Sequence, residues 1–424
     1  MTPAEIERLG ARAEAMLEEL AAISEDPDRL TRRFLTAEHK RAAHLVGQWM
    51  AEAGMAVGED QLATVRGHYA RSGGPDGANR VPRLLIGSHI DTVINAGKYD
   101  GMFGVVAGIL AVEHFRDAGR RFDFAVDVLA FGDEEGSRFP TVLSSSAAVA
   151  GGFEPRWLAG IDADGIALTQ AMRDYGLDPD AAAAAALRPD EALAYVEVHI
   201  EQGPVLEHQD APLGIVTSIA GQFRTAVAVR GMAGHAGTVP MTLRRDALVA
   251  ASEMVVAAEA IAKAHPEAAM VATVGTLKVK PGAANVVPDG VDFVLDLRAA
   301  SDAPRHAALA AFTARCTEIA EARGCTVSFD TYHDCPTAAC APWLQDGLAA
   351  SLEGLGLPAP RLVSGAGHDG QSMSKLTDFA MLFVRCRDGI SHNPLEFAST
   401  ADMGLAIAAL IGFIDGFDPA RRPA

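Results

Sequence analysis

Positive charge is scarce in this sequence. Its 424 residues carry 36 Lys and Arg against 55 Asp and Glu, a formal net charge of -19. Such an acidic chain argues against nucleic acid or an anionic membrane as partner, because phosphate binding needs concentrated positive charge. Long apolar runs are missing as well: nothing approaches the roughly twenty residues that span a bilayer. The first twenty residues mix Glu5, Glu7, Glu14, Glu18 and Glu19 with Ala and Leu. They are expected to form an amphipathic surface helix, lacking the basic start and apolar middle of a signal peptide. Cysteines are few and odd in number: Cys316, Cys325, Cys335, Cys340 and Cys386. The Cys335–Cys340 spacing does not suit a zinc knuckle, and no second pair accompanies it. All five are read as reduced thiols of a cytoplasmic protein.

What is present is the profile of a globular protein, 49% apolar and 21% charged. The chain is too long for one compact core, so two domains are expected. Helical spacing dominates residues 1–70, and a turn-rich loop follows at Arg71–Arg80. A strand over 82–87, a helix over 101–118 and an apolar strand over 124–131 make a βαβ pattern. That predicts an α/β fold with a mixed, mostly parallel sheet flanked by helices. The helix carries Gly104 and Gly108 four apart, which permits close approach to a sheet. The six alanines 181–186 read as helix, and 195–200 as an alternating strand stopped by Gly203-Pro204. The texture then changes. Strand material at 215–229, a helix over 241–264, strands at 270–280 and 290–298, a helix over 303–323 and a strand at 325–330 compose a smaller α+β unit. It is expected to be an insert, 215–330, in a first domain made of 1–214 and 331–424. A buried strand over 380–385 and a helix at 400–415 complete the chain.

Five short stretches share one design: 87–101, 132–136, 199–203, 365–370 and 389–394 each set His, Asp or Glu among Gly, Ser or Pro beside an apolar strand. On a strand, residues two apart face the same way, so His89 and Asp91 point together. Asp100 can return toward them from the helix start. Taken singly, Asp100 could be an N-cap, Glu134-Glu135 a solvated turn and His199 a core histidine. Together, three histidines and several carboxylates are the inventory of a two-metal hydrolase, with ligands suited to zinc, manganese or cobalt. In an extended segment Glu134 and Glu135 diverge, so one can ligate while the other serves as a general base.

The stretches Gly87-Ser88-His89-Ile90-Asp91-Thr92 with Asp100-Gly101, Asp133-Glu134-Glu135-Gly136, His199-Ile200-Glu201-Gln202-Gly203-Pro204, Gly234-His235-Ala236-Gly237, Ser364-Gly365-Ala366-Gly367-His368-Asp369 and Ser391-His392-Asn393-Pro394 resemble the amidohydrolase branch of the dinuclear metallopeptidases. That branch contains N-carbamoyl-L-amino acid hydrolases, β-ureidopropionase and allantoate amidohydrolase. The resemblance implies two divalent ions per subunit, zinc or manganese, with cobalt or nickel as substitutes. It implies His89 and His199 on one metal, Glu135 and His392 on the other, and Asp100 bridging. Asp91 would orient His89, and Glu134 would be the general base. His368 and Asp369 would organise the site without ligating.

The insert would dimerise and act as a lid. There His235, Asn285 and Arg298 would reach substrate in the partner subunit's site, while Gln202 would contact the ureido group. The implied reaction is hydrolysis of a ureido carbon–nitrogen bond in a small carboxylate, allantoate or an N-carbamoyl-L-amino acid, by a homodimer. Arg298 at a strand end also suits a surface ion pair. An N-acyl amino acid hydrolase or metallo-aminopeptidase on the same scaffold, and a dimeric binding module without catalysis, remain alternatives.

Overall fold

A computed structural model describes residues 1–73 and 81–423. Most of the Arg71–Arg80 loop therefore lies outside the described residues. The chain divides into two compact units, 1–217 with 340–362 and 366–424, and 218–339 with 363–365.

The first unit is built on a mixed sheet. Its strands run in the spatial order Ala56–Glu59, Val65–Tyr69, Ala125–Phe131, Arg83–His89, Ala192–Ile200, Phe379–Val384 and Leu213–Ile219. The four strands from Ala125–Phe131 to Phe379–Val384 are mutually parallel. The flanking pairs are antiparallel. Arg83–His89, Ala125–Phe131 and Phe379–Val384 are buried at every position. This is why they read as continuous apolar runs: both faces of a parallel sheet are covered. On one face Leu84, Ile86, Val126 and Val128 join a core with the helices Pro3–Ala21, Met102–Asp117 and Thr400–Asp415. Gly104 and Gly108 do permit the close approach of Met102–Asp117. A side chain at Gly104 would strike the Val198 carbonyl, and one at Gly108 would crowd Ile86 and Val128.

The second unit holds an antiparallel sheet ordered Thr326–Cys335, Gly221–Arg230, Gly290–Ala299, Val271–Lys280. Helices Ala247–Lys263 and Asp302–Ala322 share its core with Val227, Val229, Phe293, Leu295 and Leu297. Buried and open positions alternate along Gly221–Arg230, as on a sheet with one covered face.

Several expectations need correction. Residues 1–70 are not helical throughout: helices Pro3–Ala21 and Ala37–Glu52 are followed by the antiparallel strands Ala56–Glu59 and Val65–Tyr69. Gly67 is packed so closely on Met50 and Met55 that a side chain there would have to push their thioethers aside. The alanine run is a short 3-10 helix, Pro179–Ala185, with only Pro179 and Ala182 buried. It presents too little apolar surface to anchor a full α-helix. The strand expected over 215–229 is two strands, Leu213–Ile219 and Gly221–Arg230, in different sheets. The helix expected from 241 begins at Ala247, where Asp246 caps it through the amides of Leu248 and Val249. The strand expected to end at Asp330 continues to Cys335 through a register shift between Thr331 and His333. No helix among the described residues is long and apolar enough to cross a membrane.

Candidate metal centre

Parallel strands deliver their carboxyl ends to one rim, where loops can converge. His89 ends its strand, Glu134 and Glu135 follow Ala125–Phe131, His199 lies one residue from the end of Ala192–Ile200, and His392 follows Phe379–Val384. Asp100 precedes Gly101, the cap of Met102–Asp117, whose φ is +70°. A side chain at Gly101 would collide with the His89 imidazole. Glycine there supplies both the left-handed turn and the room.

Asp100 is the centre of this rim. Its Oδ1 lies 3.4 Å from His89 Nε2 and 3.1 Å from His199 Nε2. Its Oδ2 lies 3.3 Å from His392 Nε2, which is 3.6 Å from Glu135 Oε2. The two oxygens of one carboxylate thus face two different ligand groups. In each of the sets His89–Asp100–His199 and Asp100–Glu135–His392, one ligand atom per residue lies within 4.8 Å of the others. His89–Glu134–Glu135 and Glu197–His199–His368 form further sets of the same kind. The histidines are oriented for ligation. His89 Nδ1 is 3.0 Å from the Asp91 carbonyl, and His199 Nδ1 is 2.8 Å from the Ile200 carbonyl. A carbonyl only accepts, so each Nδ1 carries a proton and each Nε2 is turned toward Asp100, that of His199 also accepting from the Gly101 amide at 3.2 Å. A mixed imidazole–carboxylate set of this kind fits borderline divalent cations.

The electrostatics point the same way. Burial opposes charge on His89, but hydrogen bonds to Asp100 and Asp91 outweigh it and raise its pKa well above the usual value. Burial also opposes charge on Asp100, yet His199, His392 and His89 hold its carboxyl well below the usual range. The Asp100 hydrogen bond lifts His392 to about 9. Burial, reinforced by Asp100, pushes Glu135 up to about 7. Burial drives Glu134 well above the normal carboxyl value. So many carboxylates around a few imidazoles bind protons readily, and metal binding releases such protons.

Asp91 faces two ways. Its Oδ1 accepts the amide of Glu134 at 3.1 Å and its Oδ2 that of Glu135 at 3.2 Å. Its Oδ1 is 3.5 Å from His89 Nδ1, so the nearer partner of that ring is the Asp91 carbonyl. The carboxylate therefore grips the Glu134-Glu135 turn more directly than it grips the imidazole. Gln202 donates from Nε2 to Asp100 Oδ2 at 2.7 Å and lies 3.3 Å from Ser391 Oγ. Gln202 and His392 both hold positive φ, +56° and +53°. Such backbone strain in non-glycine residues gathers where surrounding structure fixes a site. His368 is buried and packs edge-on to His199, with ring centroids 4.4 Å apart. Burial holds it well below the usual histidine value. Asp369 is fully buried beside it.

Sequence reasoning missed Glu396 and gave Ser391, though part of the stretch around His392, no role of its own. Glu396 Oε1 accepts the amides of Tyr99 at 3.0 Å and Asp100 at 3.1 Å. Its Oε2 is 2.8 Å from Ser391 Oγ, which is 2.9 Å from Asp100 Oδ2. An acid four residues beyond His392 was the one available signal, and a weak one.

His235, Asn285 and Arg298 belong to the second unit. Gly234–His235 pairs with Val286–Val287, and the Ala236 amide donates to the Asn285 carbonyl at 3.0 Å. His235 and Asn285 are thus neighbours on one exposed loop pair. His235 Nδ1 accepts from the Gly237 amide at 3.1 Å, which leaves Nε2–H as a donor. Arg298 is engaged bidentately with Asp296 at 2.8 and 3.1 Å and donates to the Gly365 carbonyl at 2.6 Å.

A parallel-centred α/β sheet with His, Asp and Glu converging at its carboxyl rim defines a class. Residues 85–416 match the model of Peptidase family M20/M25/M40, and the chain belongs to that family. Within it the likeness narrows to amidohydrolases. The chain is 38% identical over 432 residues to an allantoate deiminase of Arabidopsis thaliana, covering 95% of this chain and 81% of the relative. It is 38% identical over 402 residues to an N-carbamoyl-L-amino acid amidohydrolase of Geobacillus stearothermophilus, covering 95% and 97%. Among solved structures, an amidase of the hydantoinase/carbamoylase family from Burkholderia multivorans superposes with a TM-score of 0.89 at 30% identity, over 98% of both chains.

Proposed function

We propose that this protein is a metal-dependent amidohydrolase of non-peptide carbon–nitrogen bonds. It hydrolyses the ureido group of a small carboxylate, allantoate or an N-carbamoyl-L-amino acid, and the products include ammonia and carbon dioxide. One observation carries the reading: Asp100 turns Oδ1 to His89 and His199 and Oδ2 to His392, beside Glu135. His89, His199, His392, Glu135 and Asp100 would hold two divalent ions, zinc or manganese. When bound, such ions supply Lewis acidity and lower the pKa of water. The relatives named above, an allantoate deiminase and an N-carbamoyl-L-amino acid amidohydrolase, support the substrate class.

The chain's own residues have separate tasks. Glu134 takes a proton from the attacking water and returns it to the leaving nitrogen. Burial raises its carboxyl well above the usual value, so it holds a proton more readily than an ordinary glutamate. Asp91 fixes the turn that carries Glu134 and Glu135. Gln202, held on Asp100, presents its amide beside the reacting group. His235 Nε2–H and Asn285 donate to the developing oxyanion, and Arg298 binds the substrate carboxylate by exchanging its Asp296 pair. We assign these last three to the active site of a partner subunit in a cytoplasmic homodimer. The edge strand Val271–Lys280, which exposes Val271 and Leu277, supports pairing with a second copy.

An ammonia-release assay on metal-supplemented protein tests the activity, with allantoate, N-carbamoyl-L-amino acids, N-carbamoyl-β-alanine and an N-acetyl amino acid compared side by side. Allantoate or an N-carbamoyl-L-amino acid is the expected substrate. Turnover of none of the ureido compounds refutes the reading, and deacetylation alone reassigns the scaffold to N-acyl hydrolysis. Sedimentation of the protein with and without Leu277→Asp tests the dimer.

A further inference from the structure

Arg32 is fully buried, yet its donors go to neutral groups. Nη1 donates to the Leu20 and Ile23 carbonyls, both at 2.9 Å, and Nε to the Ile90 carbonyl at 2.8 Å. Nη2 lies against the Met102 sulfur. The main chain adds a second hold on the same turn: Arg32 N donates to Thr92 Oγ1 at 2.9 Å, and Thr92 N donates to the Arg32 carbonyl at 3.0 Å. The neighbouring backbone continues this contact, with the Ala96 amide on the Leu30 carbonyl at 2.9 Å.

A buried charge is costly unless something compensates it. Two features do so here. The Leu20 carbonyl lies at the carboxyl end of helix Pro3–Ala21, where the helix dipole favours a cation. Burial lowers the guanidinium pKa and the nearby Asp91 charge opposes that shift, which leaves the pKa at about 10. Arg32 therefore remains a cation at neutral pH, on the protein side of the His89–Thr92 turn. The other side of that turn is held by the Ile90 amide on the Phe131 carbonyl at 2.9 Å, and by Asp91 on the Glu134 and Glu135 amides.

We propose that Arg32 is a positioning residue for the metal centre: its guanidinium clamps the Ile90 carbonyl and so fixes the aim of His89 and Asp91. The inference rests on the two-metal reading of the site. No short motif contains Arg32; it reaches the rim from the link between the first two helices. Its planar fork bridges three carbonyls from two chain segments, which a lysine ammonium on a flexible stem cannot reproduce.

Arg32→Met keeps much of the apolar stem and removes the charge, while Arg32→Lys keeps the charge and loses the fork. Each is compared with the parent by calorimetric titration of zinc and of manganese into the chelator-treated protein, well below its melting temperature. Melting of the same metal-free samples is recorded in parallel. Groups that orient metal ligands typically change affinity 10–100-fold. Arg32→Met is expected to weaken metal binding at least about 10-fold on that scale, and Arg32→Lys by less. A lower melting temperature with parental metal affinity in Arg32→Met overturns the inference. Should Arg32→Met fail to fold, parental affinity in Arg32→Lys overturns it equally. A parent protein that binds neither metal refutes instead the two-metal reading.

Discussion

Asp91 Oδ1 accepts the backbone amide of Glu134 at 3.1 Å, while Oδ2 accepts that of the next residue. The carboxylate between His89 and the acid turn is therefore a backbone anchor as much as an imidazole orienter. The distances decide the order: each amide lies closer to it than the 3.5 Å that separates Oδ1 from His89 Nδ1.

Replacing Asp91 with Asn turns one acceptor into an NH2 donor that faces an amide N–H. One of the two amides loses its partner, and the Glu134-Glu135 turn loosens. Metal affinity and turnover should fall together, by roughly 10–100-fold. Calorimetric metal titration and ammonia release measure both. A loss of rate with parental metal affinity contradicts the anchoring role.

Glu134→Gln should separate the two properties. The residue stands beside His89 and Glu135 in one candidate set, but neither of the two sets that contain Asp100 includes it. The variant should bind metal nearly as the parent does and lose about 10²–10⁴ in rate, the usual contribution of a general base. Near-normal turnover would move the base assignment elsewhere.

Gly101→Ala tests the geometry under His89. A methyl group there meets the imidazole, and the φ of +70° disfavours any side chain. Substitution at such a position destabilises by more than about 1 kcal/mol. Urea denaturation should register that loss, and metal titration a weakened site. A variant as stable as the parent would show that the His89 ring has room to withdraw.

His39 offers a prediction away from the metal ligands. Burial pulls its pKa down to about 4, and its Nδ1 sits 3.1 Å from the Tyr175 hydroxyl. The unfolded chain takes up this proton near pH 6.5, while the folded chain refuses it until about pH 4. His39 therefore leaves stability unaffected above pH 6.5 and removes it as the pH falls from there toward 4. The full effect is roughly 3 kcal/mol. His39→Gln should show a correspondingly smaller drop in unfolding free energy between pH 7 and pH 4.5, and an equal drop would place the titration elsewhere.

The parts of the fold that were legible in the sequence are those with one dominant period. Arg83–His89, Ala125–Phe131 and Phe379–Val384 are apolar runs because both faces are covered. Thr400–Asp415 agrees with its sequence expectation to the residue. The pair Ala56–Glu59 and Val65–Tyr69 escaped because its first strand is exposed throughout and has no apolar side to recognise. Leu213–Ile219 and Gly221–Arg230 merged because the break at Ala220 changes sheet without a breaker such as proline. His89, Asp100, Glu135 and His199 were legible at the rim because each stands next to a glycine or a strand end. Glu396 and Arg32 were not, since each acts on backbone far away in sequence: Glu396 on Tyr99 and Asp100, Arg32 on Ile90. Backbone acceptors and donors carry no residue-type signature, so such partners emerge only from the fold.

The divided allegiance of Asp100 has a last consequence. One carboxylate carries one negative charge, and both ligand groups draw on it. On the two-metal reading proposed above, a first cation held at Oδ1 would polarise the group and draw electron density from Oδ2, where Gln202 and Ser391 already compete. A second cation would meet a weaker donor and a like charge nearby. Calorimetric metal titration should then resolve two unequal steps, and at limiting metal half-filled sites should outnumber full ones.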